Sequence, residues 1–381
     1  MTGLDEADRA ALRELARTVV TEVCVPDRVR AAMDAGGRPD PALDAELAAT
    51  GLSGVEIPER YGGGGASFRE VGAVLAELGA GAAASHYTSS AVLCAGAVLL
   101  AGSEEQRERW LPALATGATH GTAALTEQFT SPPGAGVRAE RAAGGWTLDG
   151  TAYHVLNARV SDLLVVAATG GRVPVVAVVP RDAAGLAVTP TAMTDATRCV
   201  DSLALRAVPV PDADVLATGD GARRLLAALA NRAAAALAAD SAGNARRVLD
   251  MTVGYARERE QFGRPIGSFQ AVKHQAADML VGVETAAVLV DEALRQAAED
   301  PAGCDVAVSM AKEYGCGRAA ANAGTALQLH GGIGYTWEHD LHIHFKRATL
   351  NAFLFGDARW HRRRVARALG AAARETGARR G

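Results

Sequence analysis

Between Phe269 and Leu294 an apolar residue returns every third or fourth position: Phe269, Val272, Ala276, Met279, Val283, Ala286, Val290 and Leu294. A strand would alternate with a period of two, so this stripe describes a long amphipathic helix. Such a helix cannot bury its stripe alone and belongs in a bundle. The run Asp300-Pro301-Ala302-Gly303 breaks it, and a second helix is predicted from about Val306 to His330, ended by Gly331-Gly332. The tail from Arg362 is Arg-rich and reads as solvated.

The first 119 residues are also helical in pattern. Leu12, Leu15, Ala16 and Val19 share one face of a helix over Asp5–Val23, and Val71, Val74, Leu75 and Leu78 share one over 68–80, capped by Ser67. Ser103 and Gln106 form a capping box, opening a helix expected to end before Pro112. From 120 to 217 the texture changes, with Gly, Pro and Thr separating short β-branched runs. Gly144-Gly145 and Asp149-Gly150 look like hairpin turns on either side of a strand at Trp146-Thr147-Leu148. Leu163–Ala168 and Val173–Val179 read as buried strands. The expected chain is therefore an α+β multidomain protein: a helical domain over 1–119, an antiparallel β domain over 120–217 and a helical bundle over 218–381.

Composition excludes several function classes. Of 381 residues 49% are hydrophobic and 22% charged, and the net charge is −4, which suits no surface built for nucleic-acid phosphates. The longest apolar run, Ala91 to Gly102, is too short for a bilayer. Asp5, Glu6 and Asp8 occupy the place of a basic signal region, so a cytoplasmic protein is expected. Cys24, Cys94, Cys199, Cys304 and Cys316 are scattered and read as reduced thiols. His330, His339, His342 and His344 crowd one region without metal-site spacing, and no metal is expected.

Two stretches carry candidate chemistry. In Arg259-Glu260-Gln261-Phe262-Gly263-Arg264-Pro265-Ile266-Gly267-Ser268-Phe269-Gln270 a helix ends near Arg259, and Ser268 is a candidate cap for the next one. An arginine there either points its fork at an anionic ligand or merely suits the helix dipole. In Gln328-Leu329-His330-Gly331-Gly332-Ile333-Gly334-Tyr335 the paired glycines admit a close backbone or ligand, or simply end a helix. Together with Ile57-Pro58-Glu59-Arg60-Tyr61-Gly62-Gly63, Gly102-Ser103-Glu104-Glu105-Gln106 and Leu125-Thr126-Glu127, these stretches resemble the acyl-CoA dehydrogenase family over nearly the whole chain.

That resemblance implies an N-terminal helical domain, a middle β domain and a C-terminal four-helix bundle, with a tetramer in which each FAD site is shared by two subunits. It implies α,β-dehydrogenation of an acyl thioester, on CoA or a carrier protein: a carboxylate takes the α proton while hydride leaves the β carbon for flavin N5. The half of the site that grips a neighbour's FAD falls on Arg259, Phe262, Gln328, Gly331 and Gly332. The half that holds the chain's own FAD is eroded. Thr126-Glu127 stands, but Gln128 and Ser131-Pro132 replace the family's proline and Gly-Ser pair, and its Trp-x-Thr falls on His154 and Leu156. The two usual base positions fall on Phe355 and Ala233.

Two acids stand nearby, Asp240 on the apolar stripe of its helix and Asp357. Burial would raise the pKa of Asp240 as a base requires; alternatively it pairs with an arginine and only holds the bundle. Three readings follow: a dehydrogenase with a relocated base, a non-catalytic partner completing the FAD site of a second family member in a heterotetramer, or a flavin oxidase or oxygenase on the same fold. A homotetramer suits the first reading. An electron-transfer flavoprotein is a candidate redox partner.

Overall fold

A computed structural model describes residues 4–125 and 136–378, with the side chains of 371–378 left aside. The helical first part comprises α1 (Glu6–Val23), α2 (Pro26–Asp34), α3 (Pro41–Ala49), α4 (Phe68–Ala80), a π-helical stretch over Thr88–Ala95 that runs into α5 (Gly96–Ala101), and α6 (Glu104–Ala115). The expected Ser103–Gln106 capping box opens α6, and the expected Ser67 cap of α4 is itself such a box, completed by Glu70. Pro112 lies inside α6 rather than beyond its end. Trp110, Leu111, Leu114 and Ala115 are buried, and their packing outweighs the one hydrogen bond that proline removes.

The middle part is one sheet with β1 (Gly121–Ala124), β2 (Val137–Ala142), β3 (Gly145–Leu156), β4 (Leu163–Gly170), β5 (Val173–Pro180), β6 (Leu186–Pro190), β7 (Val200–Pro211) and β8 (Val215–Thr218). Its order is β6-β7-β3-β2-β4-β5-β8, with β1 also on β4. Most pairs are antiparallel, but β1 and β2 meet β4 in parallel. Asp149-Gly150 is no turn. It sits inside β3 at a bulge, where Gly150 has φ +136° and a Cβ would run into the Gly136 carbonyl. The hairpin turn between β2 and β3 is Ala143-Gly144, one residue earlier than expected, and Gly145 already belongs to β3, paired with Ala142. Gln106 of α6 fastens this sheet to the first domain, donating to the carbonyls of Ala213 and Val215 at 2.8 and 3.0 Å.

The last part holds α7 (Gly219–Glu258), α8 (Gln270–Glu299), α9 (Asp305–His330), α10 (Leu341–Phe353) and α11 (Ala358–Ala378). The stripe on α8 is buried at Met279, Val283, Ala286, Val290 and Leu294, whereas Val272 and Ala276 stay half-buried. Ser268 does not cap α8; Phe269 takes the N-cap position and no side chain bonds there. The Arg-rich tail is helical, because Arg364 pairs with Asp305 and stacks on Trp360 at 4.7 Å. Two glycines bring α4 across α7 in backbone contact: a Cβ on Gly79 would collide with the Asp240 carbonyl, and one on Gly243 with that of Ala76. No helix among the described residues is long and apolar enough to cross a membrane.

Candidate functional site

Helix α7 ends with the N–H of Arg259 bonded to the Tyr255 carbonyl at 2.8 Å. The chain then turns back in a two-residue hairpin between β9 (Glu260–Gln261) and β10 (Arg264–Pro265). Phe262 and Gly263 form that turn with φ of +55° and +75°, the handedness a tight hairpin demands. A phenylalanine in that conformation carries strain, and Phe262 is 91% exposed, so an edge contact with the Phe269 ring repays little of it.

Helix α9 arrives at the same place. The Tyr255 hydroxyl donates to the His330 carbonyl at 3.3 Å, and the two rings stack at 4.4 Å. Gly331 follows with φ +65° and ψ −144°, a conformation open to glycine and almost nothing else. A Cβ on Gly331 or Gly332 would meet no atom within 4 Å. Arg259, Phe262, Gln328, Gly331 and Gly332 are all exposed at this one end of the bundle. A guanidinium, an amide, a flat ring and bare backbone suit an anion joined to an aromatic group, so the residues present fit one half of a dinucleotide site.

Thr126 and the replaced positions after it lie outside the described residues. His154 sits at a second bulge of β3 with φ +57°, half-buried, its pKa lowered by desolvation. Leu156 is buried beside Val200, Leu237, Leu350 and Leu354, so no hydroxyl stands at that position.

Around the expected base every nearby charge is engaged. Asp240 is wholly buried on α7 and accepts from Arg347 at 2.6 and 3.0 Å and from Asn351 at 2.7 Å. Arg198 lies 3.2 Å away, between β6 and β7. Burial pushes the carboxyl up, but the two guanidiniums and the Asn351 amide outweigh it and hold the pKa at about 2. The upward shift expected from burial alone is thus reversed by partners the stripe does not reveal. Arg347 also donates to the Ala83 carbonyl and the Thr197 hydroxyl, binding helical and β domains together.

Asp357 accepts the Trp360 N–H at 2.7 Å and so caps α11. Phe355 has φ +55° and packs against the main core, and Ala233 is wholly buried. Next to Ala233, Arg232 is buried against Glu56 at 2.7 Å, its guanidinium 3.9 Å over the Phe68 ring. Sequence reading missed Arg198, Arg347 and Glu56. The only local signal was a charge on an apolar stripe, which shows that a partner exists and not where it is.

Among the described residues one group offers metal-type ligands in reach of one another, Asp44, His86 and His120, and it lies far from the crowded histidines in sequence. Its two imidazoles stack 3.9 Å apart and nearly parallel. A cation in the plane of one ring would lie above the other, which opposes shared ligation.

Residues 6–118 match the acyl-CoA dehydrogenase N-terminal domain and residues 219–370 the C-terminal domain. The acyl-CoA dehydrogenase IpdE2 of Mycolicibacterium smegmatis is 31% identical over 94% of this chain and 97% of its own. FadE34 of Mycobacterium tuberculosis is 35% identical over 84% of this chain, which spans only 41% of that relative's length. Among solved structures, the ChsE4-ChsE5 complex from Mycobacterium tuberculosis has a chain 33% identical, with a TM-score of 0.88 over 97% of this chain and 99% of that one. A variant of the Tcur3481-Tcur3483 steroid ACAD matches equally in shape, at 32% identity over 96% of this chain and 99% of that one. A Mycobacterium smegmatis glutaryl-CoA dehydrogenase in complex with FADH2 superimposes with a TM-score of 0.87, at 25% identity over 96% of this chain and 95% of that one. The fold, the motifs and these likenesses agree: this chain belongs to the acyl-CoA dehydrogenase family of flavoprotein oxidoreductases.

Proposed function

We propose that this chain is the non-catalytic subunit of a two-chain acyl-CoA dehydrogenase, lending its Arg259–Gly332 end to FAD held by a second family member. The observation that carries this reading is the state of Asp240. A general base needs a pKa near the working pH and a free oxygen facing its substrate. Asp240 has both oxygens bonded and a pKa of about 2. Asp357 spends its carboxylate on a helix cap. Alanine and phenylalanine stand at the two positions where the family resemblance puts the base.

The end at Arg259 has the opposite character. Its polar groups face outward, and Phe262 holds a strained, exposed turn. In this reading Arg259 receives the charge of the pyrophosphate, and Gly331 and Gly332 let the cofactor approach the backbone. Bound FAD supplies the hydride acceptor for dehydrogenation of an acyl thioester whose α proton the partner's carboxylate removes. The likeness to a chain of the ChsE4-ChsE5 complex supports an assembly of two different family members.

Purification of the chain alone, and then with a co-expressed family member that retains a base glutamate, tests this. The expected result is a colourless single chain and a yellow, active complex whose flavin is lost on Arg259→Ala. A single chain that retains stoichiometric flavin and oxidises acyl-CoA overturns the reading in favour of a self-sufficient dehydrogenase.

A further inference from the structure

A cleft of about 790 Å³ opens between α1, α4, α7 and α8, apart from the Arg259–Gly332 end. Its position follows from the glycine crossing of α4 and α7. Ala73, Ala76 and Ala80 on α4 and Ala239, Ala242 and Gly243 on α7 line it, and such short side chains leave space beside the crossing. Val283, Val290 and Leu294 of α8 and Val20 of α1 make its walls apolar. The volume lies within the range of small-molecule pockets.

The charged part of the lining is unevenly balanced. Six arginines reach the cleft against four acids. Three of those acids are already committed: Glu77 to Arg17, Asp291 to Arg69 and Asp340 to Arg30. Among the arginines, Arg9 is bonded to Glu70 and Arg246 to Glu284, outside the lining. Arg13 of α1 and Arg247 of α7 have no ion pair among the described residues, and neither has the fourth acid, Asp250. Both arginines are exposed, so their charge costs nothing in desolvation and stays available to a ligand.

An apolar trough with uncommitted guanidiniums selects for one chemistry. A neutral lipid would leave the arginines unused, and a small hydrophilic anion would leave the alanine-lined trough wet. A cationic amphiphile would meet like charge. We propose that this cleft is a binding site for an anionic amphiphile, a carboxylate on a hydrocarbon body, with Arg13 and Arg247 receiving the carboxylate and the α4–α7 alanines receiving the hydrocarbon. The site is separate from the flavin-completing end and does not depend on the role proposed for that end.

Titration calorimetry of the full chain with dodecanoate tests it, with dodecyltrimethylammonium as the opposite-charge probe. The expected result is saturable binding of one dodecanoate per chain and at least tenfold weaker binding of the cation. Arg247→Gln is an exposed substitution that leaves the fold intact, and it should weaken dodecanoate at least tenfold. Ala242→Phe should fill the trough and abolish binding, with an unchanged circular-dichroism spectrum showing that the chain still folds. Absence of saturable binding, equal binding of both detergents, or dodecanoate affinity unmoved by both substitutions overturns the proposal. In the two-chain complex neither substitution should alter flavin content, which keeps this result separable from the role of the Arg259 end.

Discussion

Helix α7 carries two polar regions of opposite fate. At its middle, Asp240 is buried with its charge met by Arg347 and Arg198 and its remaining bonding met by Asn351. At its end, Arg259 stands exposed beside a strained Phe262 and two glycines with open space in front of them. The first region has spent its interactions on holding three parts of the chain together. The second has kept them. A buried charge looks like the better catalyst until its partners are counted, and the exposed end looks like loop until its strain is noticed.

If the middle region is structural, removing the charge of Asp240 should be the most damaging change in either place. Asp240→Asn removes the carboxylate paired with both buried guanidiniums, leaving them only the weaker field of Asp195, and should destabilise the chain by about 3–5 kcal/mol, measured by chemical denaturation. A loss below about 1 kcal/mol would show that the cluster is not what ties the domains together.

The same carboxylate predicts a dependence on acidity. Its folded pKa lies below the ordinary aspartate value, so its contribution is fully present above about pH 4 and disappears as pH falls toward about 2. The difference between the ordinary value of 3.8 and about 2 corresponds to roughly 2 kcal/mol. Denaturation midpoints across this window should show that fall in the native chain and a shallower one in Asp240→Asn. Identical slopes would place the acid sensitivity elsewhere.

The exposed end should respond in the reverse manner, with binding lost and stability kept. A side chain on Gly332 would meet no atom of this chain, so Gly332→Leu should change stability by less than about 0.5 kcal/mol. In the two-chain complex the same leucine should occupy the cofactor's approach and remove bound flavin. Retention of full flavin would break the comparison, because the open space would then have no occupant to exclude.

How much of this was legible beforehand follows the range of the interactions. The stripe from Met279 to Leu294, the Ser67 cap and the Ser103–Gln106 capping box were readable, because each is set by residues within a few turns of one another. Pro112 was misread because burial on the far side of α6 is not a local property. Asp149-Gly150 was misread because a bulge and a hairpin turn draw on the same residue types, and only the pairing with β7 separates them. The Arg259 and Gly331 stretches could be found by pattern, and the structure joins them through Tyr255 and His330. The partners of Asp240 lie 42 residues before it and 107 after it, beyond any periodicity argument.

The smallest effect sharpens the comparison most, because it should run against the usual direction. Phe262 holds φ +55° at a position 91% exposed, so its side chain contributes almost nothing to the isolated chain while its backbone carries a left-handed penalty. Glycine adopts that conformation freely but adds entropy to the unfolded chain, and the two terms partly offset. Phe262→Gly should therefore stabilise the single chain by about 0.5–1 kcal/mol in thermal or chemical denaturation. The same substitution should weaken association with the second subunit or loosen its flavin, since the ring that justified the strain is gone. A stabilised chain that still assembles and holds flavin normally would leave the strained turn without a purpose. A destabilised chain would mean that the ring packs on Phe269, 6.1 Å away, strongly enough to matter within its own subunit.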